Sequence, residues 1–224
     1  MKDPHFFQDR AILAPTLEAV EMINIYMLEM IAAPEHEYLS SDSALRSDED
    51  SEIQGEWFTT EFLNDTKSSG MPNHKLLLKV GTPIMLLRNI DQAAGLCNGT
   101  RLIVNELGEH FIGATVITGT NVNDKVHILR MDLVPSDSKF PIKFRRRQFP
   151  IAICFAMTIN KSQGQTLSQV GLFLPRPVFT HGQLYVALSR VRSRKCLKLC
   201  ILDEGGKQQT STVNVVFKEV FGNV

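Results

Sequence analysis

The hydrophobic period changes along this chain, and that change limits its fold more than any other feature. Up to about Ile31, apolar residues recur every three to four positions. From Lys75 they come in short β-rich runs: "KLLLKVGTPIMLLRNID", "TRLIVNELGE", "HFIGATVITG", "KVHILRMDLV" and "IKFRRRQF". Gly, Asn, Asp or Pro separates the runs, with Asn98-Gly99 the strongest turn signal. Five short strands predict a small antiparallel β barrel, inserted into a chain whose flanks follow a different grammar.

Those flanks alternate strand and helix. "RAILAP" (10–15) reads as a strand ended by Pro15. Thr16 can cap a helix carrying Ala19, Val20, Ile23, Met27 and Met30/Ile31 on one face, with Pro34 as its stop. Residues 40–56, "SSDSALRSDEDSEIQGE", predict an exposed or disordered acidic loop. "EWFTTEFLND" then reads as a short helix pairing Trp57 and Phe58 with Phe62. Past the barrel, Pro150 suits the first position of a helix with Ile151, Phe155 and Ile159 on one face, ending near Gln163-Gly164. "QVGLFLP" is a buried strand. Thr180 and Gln183 match a capping box ahead of Leu184, Ala187, Leu188 and Val191, and "CLKLCIL" closes as a strand. This order predicts a doubly wound α/β domain interrupted by a barrel, divided as 1–80, 81–148 and 149–224.

Several classes drop out. No apolar run approaches the roughly 18 residues of a membrane span, and "MKDPHFFQDR" lacks a signal-peptide core, so an intracellular location is expected. The four cysteines form no C-x-x-C and the six histidines share no ligand spacing, so no metal site is expected. The zero net charge hides an asymmetry. Residues 1–72 hold 15 Asp/Glu against 4 Lys/Arg, and residues 73–224 hold 20 Lys/Arg against 9 Asp/Glu. The second part therefore offers either a basic working surface or simply solvated charge.

Two segments carry candidate chemistry. In "MTINKSQGQTL", Thr158, Lys161, Ser162 and Gln163 bring hydroxyl, ammonium and amide groups to a glycine turn. Such groups hold nucleic-acid phosphates without reading bases, and Gly164 lets backbone amides approach a ligand. An ordinary helix end has the same composition. In "FTHGQLYVALSRVRSRK", Arg190 lies off the apolar face near the helix C-terminus. A guanidinium there can stabilise charge on a transferring γ-phosphate or merely offset the helix dipole.

Taken together, "AMTINKSQGQTL" and "GQLYVALSRV" resemble the fifth and sixth signature motifs of superfamily-one DNA helicases. The likeness is to the PIF (petite integration frequency) family, and within it to the Helitron-like plant branch. Upstream, "RAILAPTLEAVEMIN" resembles the family's motif IV. "VGTPIMLLRNIDQAAGLCNGTRLIV" resembles the run into an inserted barrel of Src-homology-three type. Two residues depart from the pattern: Asn160, where many relatives have His, and Leu17, where many have Asn.

The resemblance implies a second RecA-like domain in which Thr16, Thr158, Lys161, Ser162 and Gln163 contact single-stranded DNA. Gly164, Gln165 and Thr166 would lie between the DNA track and the nucleotide cleft. Arg190 would be the arginine finger, with Gln183 and Tyr185 supporting its helix. ATP and Mg²⁺ would be the parent protein's cofactors. Its setting would be nuclear, with mitochondria the alternative, in DNA repair, recombination and telomere maintenance. No G-x-x-x-x-G-K-[ST] loop occurs in the sequence, and no apolar strand ends in an Asp-Glu pair placed to hold Mg²⁺; Asp203-Glu204 follows "LCIL" but after motif VI. The family carries both on a first RecA-like domain, so this chain is expected to be a C-terminal half that binds no nucleotide competently and is inactive alone. A non-catalytic single-stranded DNA-binding module and an inactive transposon-derived fragment are the alternatives.

Overall fold

The computed structural model describes residues 4–45, 59–68, 70–135, 144–217 and 219. In chain order its elements are β1 (Arg10–Ala14), α1 (Leu17–Glu29), β2 (His36–Leu39), β3 (Ser41–Ala44), α2 (Thr60–Asp65), β4 (Lys75–Leu78), β5 (Pro83–Leu86), β6 (Arg101–Leu107) and β7 (Phe111–Val116). There follow β8 (Lys125–Leu129), β9 (Met131–Leu133), β10 (Phe144–Gln148), β11 (Ile151–Ile153), β12 (Ala156–Thr158), β13 (Gln169–Leu174), α3 (Gln183–Leu188), β14 (Leu197–Leu202) and β15 (Gln208–Gln209). They pack as two units, Met1–Met30 with Cys154–Val224, and Ile31–Ile153. The divisions thus fall after Met30 and Ile153, whereas the sequence reading placed them after residues 80 and 148.

The first unit is built on a sheet of order β12-β1-β13-β14-β15, parallel except for β15. Parallel neighbours need crossovers, and α1 and α3 lie in two of these connections. Thr16 caps α1 as its position suggests, its hydroxyl accepting from Ala19 N at 3.3 Å. The helix buries Ala19, Asn24 and Leu28, while Val20, Ile23 and Met27 are only half-buried. Asn24 faces inward because β12 has a strand neighbour on one side only. Its amide donates to Ala156 O at 3.4 Å and its carbonyl accepts from Ala156 N at 2.8 Å. Those two backbone groups would otherwise be buried without partners.

Among its described residues the second unit contains three antiparallel sheets, β11-β5-β6-β7-β8, β3-β10-β9 and β2-β4. Tyr38, Leu76 and Leu78 of the β2–β4 pair share one apolar core with Ile84, Leu102, Ile112, Ile128 and Phe149. Burying each such side chain contributes about 1.5–3 kcal/mol before entropy is counted. Two runs read as single strands are each broken in two. Gly81, at φ 90, separates β4 from β5, and Arg130 separates β8 from β9, which join different sheets. The Asn98-Gly99 turn forms as expected, with Gly99 at φ 94.

Three local readings are corrected. The segment after Pro150 forms the strands β11 and β12, joined through Cys154 and Phe155, and not a helix. Ile151, Phe155 and Ile159 are all buried, and an apolar run buried throughout has no period that separates strand from helix. The Thr180 capping box is replaced by Gly182 at φ 74, which makes no side-chain cap. The acidic loop begins not as loop but as β3, paired with β10. Its residues 46–56 lie outside the described residues, as do Trp57 and Phe58; α2 itself is present, capped by Thr59.

Arg146 explains why β3 forms. The alternation of "FRRRQ" turns Phe144, Arg146 and Gln148 inward and leaves Arg145 and Arg147 out. Arg146 meets Asp42 through Nη2 at 2.6 Å and Nε at 3.0–3.1 Å, with both side chains buried. Its remaining donors reach Leu63 O (2.7 Å), Pro72 O (3.0 Å) and Thr66 O (3.2 Å). A fully partnered guanidinium is what makes this burial tolerable.

Candidate nucleic-acid and nucleotide site

Open parallel sheets bind ligands beyond the carboxyl ends of their strands, and the candidate residues gather there in the first unit. Ala14 at the end of β1 stands in register with Thr158 at the end of β12. Each strand leads into a threonine that caps the following turn. Thr16 Oγ1 accepts from Ala19 N, and Thr158 Oγ1 accepts from Lys161 N at 3.3 Å. The turn after β12 is a 3-10 segment, Ile159–Ser162, followed by Gly164 at φ 81. No atom lies within 4 Å of where a Cβ on Gly164 would be, so its backbone is open to approach.

Asn160, Lys161, Gln163, Gly164 and Thr166 are exposed on this turn, and Thr158 and Gln165 are half-buried. Ser162 departs from its expected role: it is fully buried, with its hydroxyl donating to Ile159 O at 2.7 Å. A DNA phosphate cannot reach it in this conformation. Gln183 is likewise buried. Its carbonyl accepts from Phe179 N at 3.2 Å, and its amide donates to Pro15 O at 3.4 Å. Gln183 therefore ties the start of α3 to the turn that carries Thr16. Tyr185 is 75% exposed on the same helix.

Arg190 does not project outward. Its Nη1 donates to Ser162 O (3.2 Å) and Gln165 O (3.0 Å), Nε to Val186 O (2.9 Å) and Nη2 to Ser189 Oγ (2.9 Å). Its own carbonyl accepts from Leu167 N at 2.9 Å. The two segments singled out in the sequence are thus in direct contact through this side chain. The guanidinium is only part-buried, and each of its partners is neutral, so a phosphate would be a stronger acceptor than any of them.

Together these residues present two cations, Lys161 and Arg190, beside an accessible glycine turn. Among the described residues, no three His, Cys, Asp or Glu side chains stand close enough to hold a metal ion. No described helix is long and apolar enough to cross a membrane. Sequence reading missed Asn24 and the Pro15 carbonyl as parts of this framework. Among the described residues the available signal was an Asn on the inner face of α1, otherwise lined by Ala19 and Leu28.

A family model described as the 2B domain of the DNA helicase Pif1 matches residues 61–107, within the second unit. The ATP-dependent DNA helicase PIF1 of Danio rerio is 33% identical over 159 residues, 70% of this chain and 24% of that protein. The Xenopus laevis protein of the same name is 30% identical over 204 residues, 89% of this chain and 29% of the relative. The chain therefore spans about a quarter of the length of these relatives. Among solved structures, Bacteroides Pif1 bound to single-stranded DNA aligns with a TM-score of 0.68 at 22% identity, over 96% of this chain and 44% of that one. At that identity the structural likeness concerns the fold alone.

Proposed function

We propose, from the premise that this chain is a homologue of the Pif1 DNA helicases, that it supplies the C-terminal portion of an ATP-dependent 5′→3′ DNA helicase. The first unit is read as the second RecA-like domain. The second unit's five-stranded sheet, with the β2–β4 pair in its core, is read as the inserted Src-homology-three-like barrel. The observation that carries this reading is the clasp between Arg190 and the 162–165 turn, because it joins a DNA-facing turn to a phosphate-seeking side chain.

In this reading Thr16, Thr158, Lys161 and Gln163 hold single-stranded DNA by its phosphates, with Ser162 shaping the turn from inside. Gly164, Gln165 and Thr166 face the nucleotide cleft, and Gln183 sets the α3 helix on the Thr16 turn. Bound ATP would supply the phosphoryl transfer that drives movement. Arg190 would leave the carbonyls of Ser162 and Gln165 to meet the charge developing on the γ-phosphate. A first RecA-like domain would bring the phosphate loop and the carboxylates for Mg²⁺, and no step is assigned to Mg²⁺ on this chain. Repair, recombination and telomere roles, and a nuclear or mitochondrial setting, belong to the same proposal.

Two measurements on the purified chain test the reading. Oligo-dT binding is expected to weaken with salt and to fall about tenfold in Lys161→Ala, since one phosphate contact is lost. DNA-stimulated ATP turnover by the chain alone is expected to be absent. Turnover that Arg190→Ala abolishes would show that no further domain is required and overturn the division of labour. Salt-sensitive oligo-dT binding without any ATPase after addition of a phosphate-loop domain would favour a non-catalytic binding module. No binding even at low salt would point to an inert transposon-derived fragment.

A further inference from the structure

The opposite end of the same sheet carries a second site. We infer that the amino-terminal ends of β1, β13 and β14 form a pocket for an acidic peptide segment that inserts one large apolar side chain. This inference does not depend on the helicase reading, because none of its residues belongs to the strand ends discussed above.

A cavity of about 250 Å³ opens here. Its floor is apolar: Phe7, Ala11, Phe155 and Val170 each expose 7% or less of their surface. Its rim is basic, formed by Arg10, Lys195 and Lys198. The register Arg10↔Gln169 and Val170↔Leu197 sets the pocket at the strand starts. Arg10 is four residues from Ala14, roughly 13 Å along the strand. Lys195 and Lys198 are exposed, and among the described residues neither forms a salt bridge. Arg10 lies over the Phe6 ring at 4.3 Å, with Asp9 Oδ1 4.0 Å from its Nε.

Size and lining select the occupant. The cavity is smaller than the roughly 300–1,000 Å³ of a small-molecule cleft, so it suits one inserted side chain. An apolar anchor removes from water the exposed Phe6 and the half-buried Ile12 and Met27 that also line the cavity, and neighbouring carboxylates meet the rim cations. Nucleic-acid phosphates would satisfy the lysines, but Phe7 and Phe155, at 7% and 1% exposure, present no open ring face on which a base could stack.

Fluorescence anisotropy with the full chain tests this directly. The probe is a labelled peptide of four Asp/Glu residues ending in Phe, with a Phe-to-Ala version as its partner. Saturable binding is expected, weakened about tenfold by the Ala version, as loss of a buried anchor requires. Lys195→Glu with Lys198→Glu, both on the surface, should weaken it similarly. Gly171→Val tests the cavity without altering charge. A Cβ at Gly171 meets only Ile12 Cγ1, at 3.6 Å, and because Gly171 lines the pocket the added branches are expected to take up part of its space. Lys161→Ala should leave peptide binding unchanged while weakening oligo-dT, so failure here is distinct from failure of the DNA reading. Absent binding, or equal binding of the Phe and Ala peptides, overturns the proposal. So does displacement by oligo-dT with no effect of Gly171→Val, which would make the patch a nucleic-acid contact.

Discussion

Arg146 in the second unit and Arg190 in the first both wrap a guanidinium around main-chain carbonyls, yet only Arg146 also meets a carboxylate. Arg146 is buried, and Asp42 with four carbonyl partners, those of Leu63, Asn64, Thr66 and Pro72, leaves it no reason to move. Arg190 is half-exposed and holds two carbonyls of the turn after β12, one of its own helix and a serine hydroxyl. The same chemical group thus locks one region and remains available to an anion in the other. Burial and a charged partner make that difference, and residue type does not.

The widest separation between the two should appear in stability. Asp42→Asn leaves a buried guanidinium without its counter-charge and is expected to cost about 3–5 kcal/mol, read as a lower denaturant midpoint. A loss below about 1 kcal/mol would mean that the pair behaves like a surface bridge, and the contrast would collapse. Arg190→Ala should cost far less, about 0.5–1.5 kcal/mol, because its groups stay near water. Hydrogen exchange should speed at Gln163 and Gln165, whose amides close the turn. Unchanged exchange there would show that the clasp does not hold it.

The smallest effect comes from the reversed polarity at Asp203, an exposed carboxylate held by the amides of Lys207 (2.8 Å) and Gly205 (3.0 Å) and by Gln209. The Lys207 amide, above all, holds its pKa below the usual carboxylate value. A group lowered on folding adds stability above its unfolded pKa, about 3.9. That contribution fades as pH falls through the folded value. NMR titration should therefore show Asp203 protonating below the usual carboxylate range, and Asp203→Asn should loosen the β14–β15 hairpin at neutral pH but change little in strong acid. An Asp203 titrating at the ordinary value would remove the effect.

Much of the first unit was legible because its signals are local. Thr16 sits one residue before its helix, and "QVGLFL" and "LKLCIL" are short apolar runs with turn residues beside them. The two strands β11 and β12, which join different sheets, were not legible, since buried residues spaced by four fit a helix as well as a bent extended chain. Arg146 could have been placed inward from the alternation of "FRRRQ", but its partner Asp42 lies 104 positions away and inside an acidic run. At the site, residue types pointed to the right segments. They could not show that Ser162 and Gln183 face inward, because their bonds are to the carbonyls of Ile159 and Pro15, which have no side-chain signature.

The bond between Asn24 and Ala156 spans 132 residues, and the whole of the second unit lies between them. A chain emerging from the ribosome makes β1 and α1 early and their neighbour β12 late. Closing so long a loop costs chain entropy, and distant contacts slow folding unless the intervening chain has already condensed. The second unit, whose contacts are internal to 31–153, is therefore expected to fold first and shorten the effective loop. The first unit's sheet would assemble last, with Asn24 waiting on an incomplete edge until Ala156 arrives.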